Sequence, residues 1–405
     1  MGTIPVDWEI SPVFKYFHDK IFLNIDYEFR YAFKFNYGTL KYKNELGDID
    51  FYRNTYLKYI KVKKNDIIIN GLNLNYDFVS QRVAITPKNG IITSAYIAMR
   101  PYGEQNTNYF CYLFKAMDNI KLFHGMGKGI RLTLSFDELK RKRICVPRLP
   151  EQKAIADFLD KKCAEIDGLL AELEAEVKTL AEYKKSIIAE TVTRGLNPNA
   201  PMKQSGIPWA ETIPAHWDIQ KGKYTFRLLQ RPVKEDDGVI TCFRDGEVTL
   251  RSNRREDGFT MSAKEYGYQG IEPGDLVVHG MDGFAGSIGI SDSRGKGTPV
   301  LNVLDSKYNK RYLMYYLRNM AYGDVFLALS TGIRVRSCDL GWKKLGEIRI
   351  VLPPIEEQEK IADYIDHKLD EIQNAIENKT QQIETLKAYK SSLIYEYVTG
   401  KKQVI

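Results

Sequence analysis

The sequence predicts an α+β protein in which two similar globular α/β domains are separated by a two-helix antiparallel coiled coil, with a pseudo-two-fold internal repeat. Two observations predict this fold: a long helical stretch occurs twice, and the globular part before each copy also repeats. Residues 151–193 return as residues 357–399 without a gap, and 18 of the 43 aligned positions are identical. A repeat on this scale indicates that the chain is built as two halves.

Both copies of the helical repeat are predicted to form long helices. Apolar residues recur with the alternating spacing of a heptad seam, and neither stretch contains proline. A stripe this narrow favours pairing of the two seams with each other, and the alternative is a solitary amphipathic helix lying on a globular core. The predicted seam residues are Leu159, Cys163, Ile166, Leu170, Leu173, Val177, Leu180 and Ile187 in the first copy, and Ile365, Leu369, Ile372, Ile376, Ile383, Leu386 and Leu393 in the second.

The globular parts repeat more faintly. Ile4–Ile10 matches Ile213–Ile219, and Tyr109–Leu113 matches Tyr312–Tyr316. Short β-branched runs bounded by Gly, Pro and Asn predict strands, and the two tyrosine-led segments predict short buried helices. The predicted order is a globular domain at 1–150, a helix at 151–194, a linker at 195–212, a second globular domain at 213–354 and a second helix at 355–405.

The net charge of +7 is unevenly distributed. Residues 1–150 and 194–353 carry +9 and +5, whereas the helical stretches 151–193 and 354–405 carry −4 and −3. Basic globular parts beside acidic helices suit a protein whose globular parts face a polyanion. Five cysteines without a CxxC pair, a start unlike a signal peptide and no run of 18 apolar residues predict a cytoplasmic protein without a membrane span.

Several segments of the chain form a recognisable combination: the helix entries Pro147–Ile155 and Pro353–Ile361, the exit Thr193–Pro198, and the segments Met202–Ile207 and Ile213–Trp217. Together they resemble the specificity (S) subunits of type I restriction-modification systems, the HsdS family. The resemblance covers the whole chain, and its combination with the half-chain repeat is highly specific. The second helix exit departs from the pattern, because Thr399-Gly400-Lys401 replaces Thr193-Arg194-Gly195.

The resemblance implies two target-recognition domains, each reading one half of an asymmetric, bipartite site in double-stranded DNA. The helices would then serve as a conserved spacer and as the docking surface for two methyltransferase (M) subunits that methylate adenine N6. Restriction (R) subunits would hydrolyse ATP, translocate the DNA and cut it. S-adenosylmethionine, ATP and Mg are therefore expected on partner subunits, with no cofactor bound by this chain.

Candidate DNA contacts follow from residue type and from the loops after matched strands. Arg and Lys read guanine, Asn and Gln read adenine, and cationic or polar loops hold phosphates. The alternative for each candidate is a local one: asparagines that suit a turn, and arginines that brace their own domain. Arg131 and Arg334 occupy matched positions, which favours phosphate or framework contacts. The candidates are Asn70, Asn73, Asn75, Gln81, Arg82, Lys128, Arg131, His279, Asp282, Arg294, Lys296, Arg334 and Arg336.

The sequence contains no recognisable catalytic constellation. Its five histidines are scattered, with no HExxH and no Cys/His cluster typical of a metal site. We therefore predict a non-catalytic subunit that holds no metal. Two other hypotheses stay open: a stand-alone DNA-modifying or DNA-cutting enzyme with an unrecognised active site, and a coiled-coil adaptor that does not bind DNA.

Overall fold

The computed structural model describes residues 4–19, 22–42, 52–254, 266–329 and 340–404. The chain forms two compact units. The first unit comprises Met1–Glu174 and Thr380–Ile405, and the second comprises Ala175–Lys379. Each unit therefore contains one globular part together with a stretch of both long helices.

The described part of the first unit contains short strands, three short α-helices of its own and a stretch of each long helix. In chain order the strands are β1 (Glu9–Pro12), β2 (Phe17–His18), β3 (Phe33–Asn36), β4 (Thr39–Tyr42), β5 (Ile60–Val62), β6 (Ile67–Ile69), β7 (Val83–Ile85), β8 (Gly90–Ile92), β9 (Ile97–Pro101) and β10 (Arg143–Val146). The α-helices among the described residues are α1 (Arg53–Tyr56), α2 (Thr107–Asn119), α3 (Phe136–Leu139), the first part of α4 (Leu149–Arg194) and the end of the second long helix, α9 (Ile355–Val398).

Strand β6 lies inside an antiparallel four-stranded sheet with the order β2-β9-β6-β7. Successive side chains of a strand point to opposite faces of the sheet. Ile67 and Ile69 pack in the cluster that contains helix α2, whereas Ile68 packs on the other face with Phe33 and Val62. Because both faces are covered, β6 is fully buried and gives the loop that follows it a rigid base.

The second unit has its own set of strands and helices. In chain order the strands are β11 (Met202–Gln204), β12 (Thr212–Pro214), β13 (Asp218–Lys221), β14 (Arg227–Leu228), β15 (Ile240–Cys242), β16 (Val248–Leu250), β17 (Gln269–Ile271), β18 (Leu276–His279), β19 (Ile288–Ile290), β20 (Gly295–Gly297), β21 (Leu301–Asp305) and β22 (Arg349–Leu352). The α-helices among its described residues are the end of α4, α5 (Gly222–Thr225), α6 (Lys310–Tyr322), α7 (Val325–Ala328), α8 (Trp342–Glu347) and α9 (Ile355–Val398), of which α9 continues into the first unit.

The second unit repeats the plan of the first. Its antiparallel sheet has the order β14-β21-β18-β19, with β18 in the place of β6. Leu276 and Val278 pack in the cluster that contains α6, whereas Val277 packs on the other face with Ile240 and Val303. The predicted internal repeat of an α+β module is therefore confirmed.

The two long helices begin with the same contacts. Gln152 donates from Nε2 to a proline carbonyl at 3.0 Å, and its Oε1 accepts from Asn106 N at 3.1 Å. Gln358 makes the matching bonds, to a proline carbonyl at 2.7 Å and from Asn309 N at 3.0 Å. Both asparagines are the N-caps of buried helices, α2 and α6. Each glutamine therefore ties the start of a long helix to the core of its own unit.

In each unit, stretches of α4 and α9 pack against each other. Leu159 and Ile166 share a core cluster with Leu393 in the first unit, and Ile188 shares one with Ile361 in the second. All predicted seam residues are buried or half-buried. Antiparallel register is shown by Asp167–Lys390 and Glu174–Lys387 in the first unit, and by Glu176–Lys379 and Lys184–Gln373 in the second. The predicted antiparallel pairing is confirmed.

Candidate nucleic-acid interface

The loop at 70–82, between β6 and β7, is held together by the guanidinium of Arg82. The Nη1 group donates to Asn70 O and Leu72 O at 3.2 and 2.8 Å. The Nη2 group donates to Asn73 O at 3.4 Å and Asp77 O at 2.7 Å. Arg82 is only 2% exposed, which favours the local alternative for this candidate, an arginine that braces its own domain. Its physical role is to satisfy loop carbonyls that would otherwise be left without a donor.

The surface beside this loop carries four large, exposed apolar side chains. Tyr76, Phe78 and Val79 are 77%, 54% and 92% exposed, and Ile130 of the neighbouring turn is 95% exposed. Asn75 Nδ2 donates to Ile130 O at 3.3 Å, which joins the two segments. Single exposed apolar residues are ordinary, but a group held in place indicates a contact surface. We call these four residues the apolar edge.

Sequence reasoning missed the apolar edge, because apolar residues are normally assigned to the core. A weak signal was present: Tyr76, Phe78 and Val79 follow a stretch rich in asparagine, where a turn rather than a strand is expected. The Phe78 ring stacks on the His124 ring with centroids 4.6 Å apart. This contact holds one member of the edge while leaving the other three side chains open to solvent.

The polar candidates of this loop have mixed surroundings. Asn70 Oδ1 accepts from Leu72 N at 3.2 Å, and Gln81 Nε2 donates to Asn119 Oδ1 at 2.8 Å. Asn73 is exposed and has a φ of +52°, a left-handed conformation that asparagine tolerates. These contacts favour the local alternative for Asn70, Asn73 and Gln81, whereas Asn75 is placed at the junction of the loop with the turn.

Lys128 and Arg131 flank Ile130 in the chain and bring positive charge to the apolar edge. The Lys128 side chain is 78% exposed, and its Nζ lies 3.0 Å from Glu138 Oε1. Hydrogen bonds from Ser135 and Lys128 lower the pKa of Glu138 to about 2. Because the Lys128 ammonium lies largely in solvent, screening keeps this ion pair weak and the cation stays accessible. Arg131 is also exposed.

In the second unit, the matched loop at 279–287 is organised by a histidine. His279 Nδ1 accepts from Met281 N at 3.2 Å and Asp282 N at 3.0 Å. Burial lowers the pKa of His279, so the neutral ring is favoured. Arg244 Nη2 donates to Asp282 Oδ1 at 2.9 Å. Arg244 belongs to the turn between β15 and β16, and sequence reasoning missed it. It places a cation beside the predicted Asp282 of this loop.

Arg294 is used inside the second unit. Its Nε and Nη2 lie 2.9 and 3.0 Å from the two carboxylate oxygens of Asp237, and its Nη1 contacts Glu272. Because all three nitrogens already face carboxylates, these contacts favour the local alternative for Arg294, an arginine that braces its own domain. Lys296 lies half-buried in β20. The remaining candidates, Arg334 and Arg336, lie outside the described residues.

Two kinds of feature are absent from the residues that the structure describes. No group of three or more His, Cys, Asp or Glu side chains in that part of the chain is arranged to hold a metal ion. None of its helices is long and apolar enough to cross a membrane. The candidate interface therefore consists of loops and turns that carry polar, cationic or exposed apolar side chains.

Comparison with protein families gives one description for both halves of the chain. A family model for the type I restriction modification DNA specificity domain matches residues 33–179 and 248–387. The chain is 24% identical over 389 residues to a putative type I restriction enzyme MjaX specificity subunit of Methanocaldococcus jannaschii, covering 90% of this chain and 80% of that protein. It is also 24% identical over 373 residues to the MjaVIII specificity subunit of the same organism, covering 86% and 83%.

Two solved structures share the fold. A chain of a type I R-M system, studied for its complex assembly and conformational transition, matches with a TM-score of 0.72 and 12% identity, covering 99% of this chain and 100% of that chain. The HsdS subunit from Thermoanaerobacter tengcongensis matches with a TM-score of 0.53 and 14% identity, covering 99% of both chains. At this level of identity the two matches bear on the fold.

Proposed function

The chain belongs to the type I restriction-modification DNA specificity family, and we propose that it reads a bipartite double-stranded DNA target, one half-site with each unit. The observation that carries this proposal is a repeated scaffold with different loops at matched places. Strands β6 and β18 occupy equivalent positions in the two sheets. The loop after β6 holds a buried arginine and carries most of the apolar edge, whereas the loop after β18 is organised by His279 and contacts Arg244 of the β15–β16 turn.

Different loops on one scaffold favour different half-sites. Base edges are read by a few side chains, and phosphate contacts fix the register without selecting sequence. In the first unit we assign the apolar edge and Asn75 to base or groove contacts, and Lys128 and Arg131 to phosphates. In the second unit Arg244 joins Lys296, Arg334 and Arg336 as candidates. The resulting target is asymmetric.

The long helices suggest a second role, as a spacer and a docking surface. A helix rises about 1.5 Å per residue, so helices of this length can span more than one turn of B-DNA, which is about 34 Å. We propose that α4 and α9 set the number of unread base pairs between the half-sites and bind the M subunits. S-adenosylmethionine, ATP and Mg would then belong to partner subunits, with the complex working in the cytoplasm.

The decisive experiment maps methylated adenines in DNA from cells that express the chain with its M subunit. We expect an asymmetric motif of two short specified blocks separated by a fixed number of unspecified bases. A single uninterrupted motif would contradict the proposal. Methylation or cleavage by the purified chain alone would favour the stand-alone enzyme.

A salt titration separates DNA reading from the adaptor hypothesis. Neutralising phosphates releases counterions, so the logarithm of the binding constant falls linearly and steeply with the logarithm of the salt concentration. We expect such a steep slope for the complex of the chain with its M subunit. Weak binding with a flat salt dependence would support a coiled-coil adaptor.

A further inference from the structure

The first unit has an apolar groove on the side formed by α2, β10 and the end of α9. Leu113, Met117 and Ile120 of the α2 region line it together with Ile144 and Tyr395. Its lining is almost entirely carbon, and Ile120 is 57% exposed there. Arg143 and Lys401 add two cations to the lining. A groove of this composition is suited to an uncharged apolar segment.

The matched surface of the second unit is covered by the chain itself. The sequence match pairs Leu113 with Tyr316, and the matched strands β10 and β22 pair Arg143 with Arg349. Trp209 Nε1 donates to Tyr316 OH at 3.3 Å, and Tyr316 OH donates to Arg349 O at 3.1 Å. Thus the segment that carries Trp209 lies on positions whose counterparts line the open groove.

The covering segment, residues 205–210 with the sequence Ser-Gly-Ile-Pro-Trp-Ala, forms a turn that packs on this surface. Ile207 is 1% exposed and Ala210 is 4% exposed, and both pack in the core cluster that contains Tyr316. Ser205 Oγ accepts from Ile207 N at 2.8 Å, and Ala210 N donates to Ile207 O at 3.1 Å. The segment is therefore a compact turn that inserts one isoleucine and lays one tryptophan beside it.

We propose that the open groove of the first unit binds a segment of the same chemistry, a small-residue turn followed by apolar-Pro-aromatic, from a partner polypeptide. Ile4 lines one side of this groove, and the described residues that line it include neither a tryptophan nor a proline. A second copy of this chain is a poor source, because its own segment is already engaged by its own second unit. The proposed occupant is therefore a segment of a different protein, which would bind to this chain through the groove.

One difference between the surfaces refines the chemistry of the occupant. Tyr316 gives the indole N–H of Trp209 an acceptor, but its counterpart Leu113 has no polar side-chain atom. A buried donor without an acceptor costs free energy. The occupant's aromatic residue should therefore need no hydrogen bond, and phenylalanine should suit the open groove at least as well as tryptophan.

The test uses the full chain and a labelled peptide copied from Met202–Ala210, with binding followed by fluorescence anisotropy. We expect saturable 1:1 binding that the Trp209→Phe peptide retains and the Ile207→Asp peptide loses. In the protein, Ile120→Asp should weaken binding by about tenfold or more, as expected for losing one large apolar contact. The control is Ile25→Asp, because Ile25 is 76% exposed in the same unit but does not line the groove.

Three outcomes would overturn the proposal. Absence of saturable binding would remove the groove as a docking site. Equal binding by the Ile120→Asp and Ile25→Asp proteins would place the peptide elsewhere. Self-association of the chain that Ile120→Asp abolishes would make a second copy the occupant. Because the assay contains no DNA, its result is independent of the proposed target recognition.

Discussion

Tyr109 in the first unit and Tyr312 in the second bury their hydroxyl groups in matched surroundings. Each hydroxyl lies 2.9 Å from a strand carbonyl, that of Cys145 or Val351, and within 3.4 Å of a carbonyl near the end of a long helix. The loops that leave the two scaffolds do not match in this way. Arg82, directly before β7, donates hydrogen bonds to the carbonyls of its loop. The matched position directly before β19 is Ser287, whose hydroxyl is buried.

This contrast separates what the two halves share from what distinguishes them. Scaffold residues recur because they meet the same packing and hydrogen-bonding demands twice. Loop residues differ although their strands are matched, so the loops are free to carry different recognition properties. Changes at scaffold positions should therefore have similar effects in both units, and changes in a loop should affect one unit only.

The largest expected effect tests the shared scaffold. Leu159 and Ile365 are matched seam residues, and both are fully buried. Leu159→Ala and Ile365→Ala should each lower the free energy of unfolding by about 2–5 kcal/mol, because a buried cavity is created. Urea unfolding combined with hydrogen exchange would measure the loss and assign it to a unit. Leu169→Ala, at a half-exposed helix position, is the control and should change stability by less than about 0.5 kcal/mol.

A loss of stability in only one of these two variants would contradict the equivalence of the two seam positions. It would mean that one position packs against a surface that the other lacks, so that the repeat in sequence is not a repeat in energetics. Similar losses in both variants would show that the two positions are equivalent in stability as well as in burial.

The next effect concerns the loop of the first unit alone. Arg82→Ala removes the donor for four loop carbonyls, which are only partly buried and can be solvated by water, so we expect a loss of about 1–3 kcal/mol in the free energy of unfolding. We expect faster amide exchange across residues 70–82 and relaxed specificity in one half-site, with the other half-site unchanged. Arg82→Lys should not rescue the loop, because an ammonium cannot reproduce the planar fork of the guanidinium. Relaxation of both half-sites would contradict a brace local to one unit.

A smaller effect distinguishes base contacts from phosphate contacts at the same surface. Val79→Ser, in the apolar edge, should cost about 1–3 kcal/mol on the preferred half-site and little on other sequences. Arg131→Gln should instead weaken binding to all sequences and reduce the salt slope by about one. Affinities measured for the assembled complex on matched and mismatched duplexes, each over a range of salt, would separate them. Equal sequence dependence for both variants would remove the apolar edge from recognition.

The sequence predicted the paired helices correctly because their pattern repeats. It did not predict which partner each arginine side chain contacts. The shift between residues 151–193 and 357–399 was enough to predict paired helices, because seam spacing is a local property of the chain. Arg82 and Arg294 were assigned to DNA by residue type, yet both face partners inside their own unit. Whether a guanidinium meets a carbonyl, a carboxylate or solvent depends on the loop's tertiary path, which residue type does not contain. The exposure of the Val79 and Ile130 side chains could not be predicted either, because it also depends on the path of the loop in the folded structure.

The smallest expected effect lies on the long helices, where the repeat places different partners at matched positions. Lys390 Nζ lies 2.5 Å from Asp167 Oδ1 in the first unit, and Lys184 Nζ lies 2.6 Å from Gln373 Oε1 in the second. Burial lowers the pKa of Lys184, so its charged form is disfavoured by folding. The resulting penalty is present while Lys184 is protonated in both states and fades as the pH rises through its folded-state pKa.

Exchanging these partners should therefore act with opposite signs in the two units. Gln373→Asp places a carboxylate beside Lys184, which should raise its pKa and stabilise the second unit by less than about 1 kcal/mol at low salt. Asp167→Gln should destabilise the first unit by a similar amount, and both changes should shrink at high salt because exposed charges are screened. Urea unfolding at two ionic strengths, near neutral pH and near the titration of lysine, measures this. Effects of the same sign in both units would show that the surroundings of the two lysines, rather than their partners, set the energetics of the helix flanks.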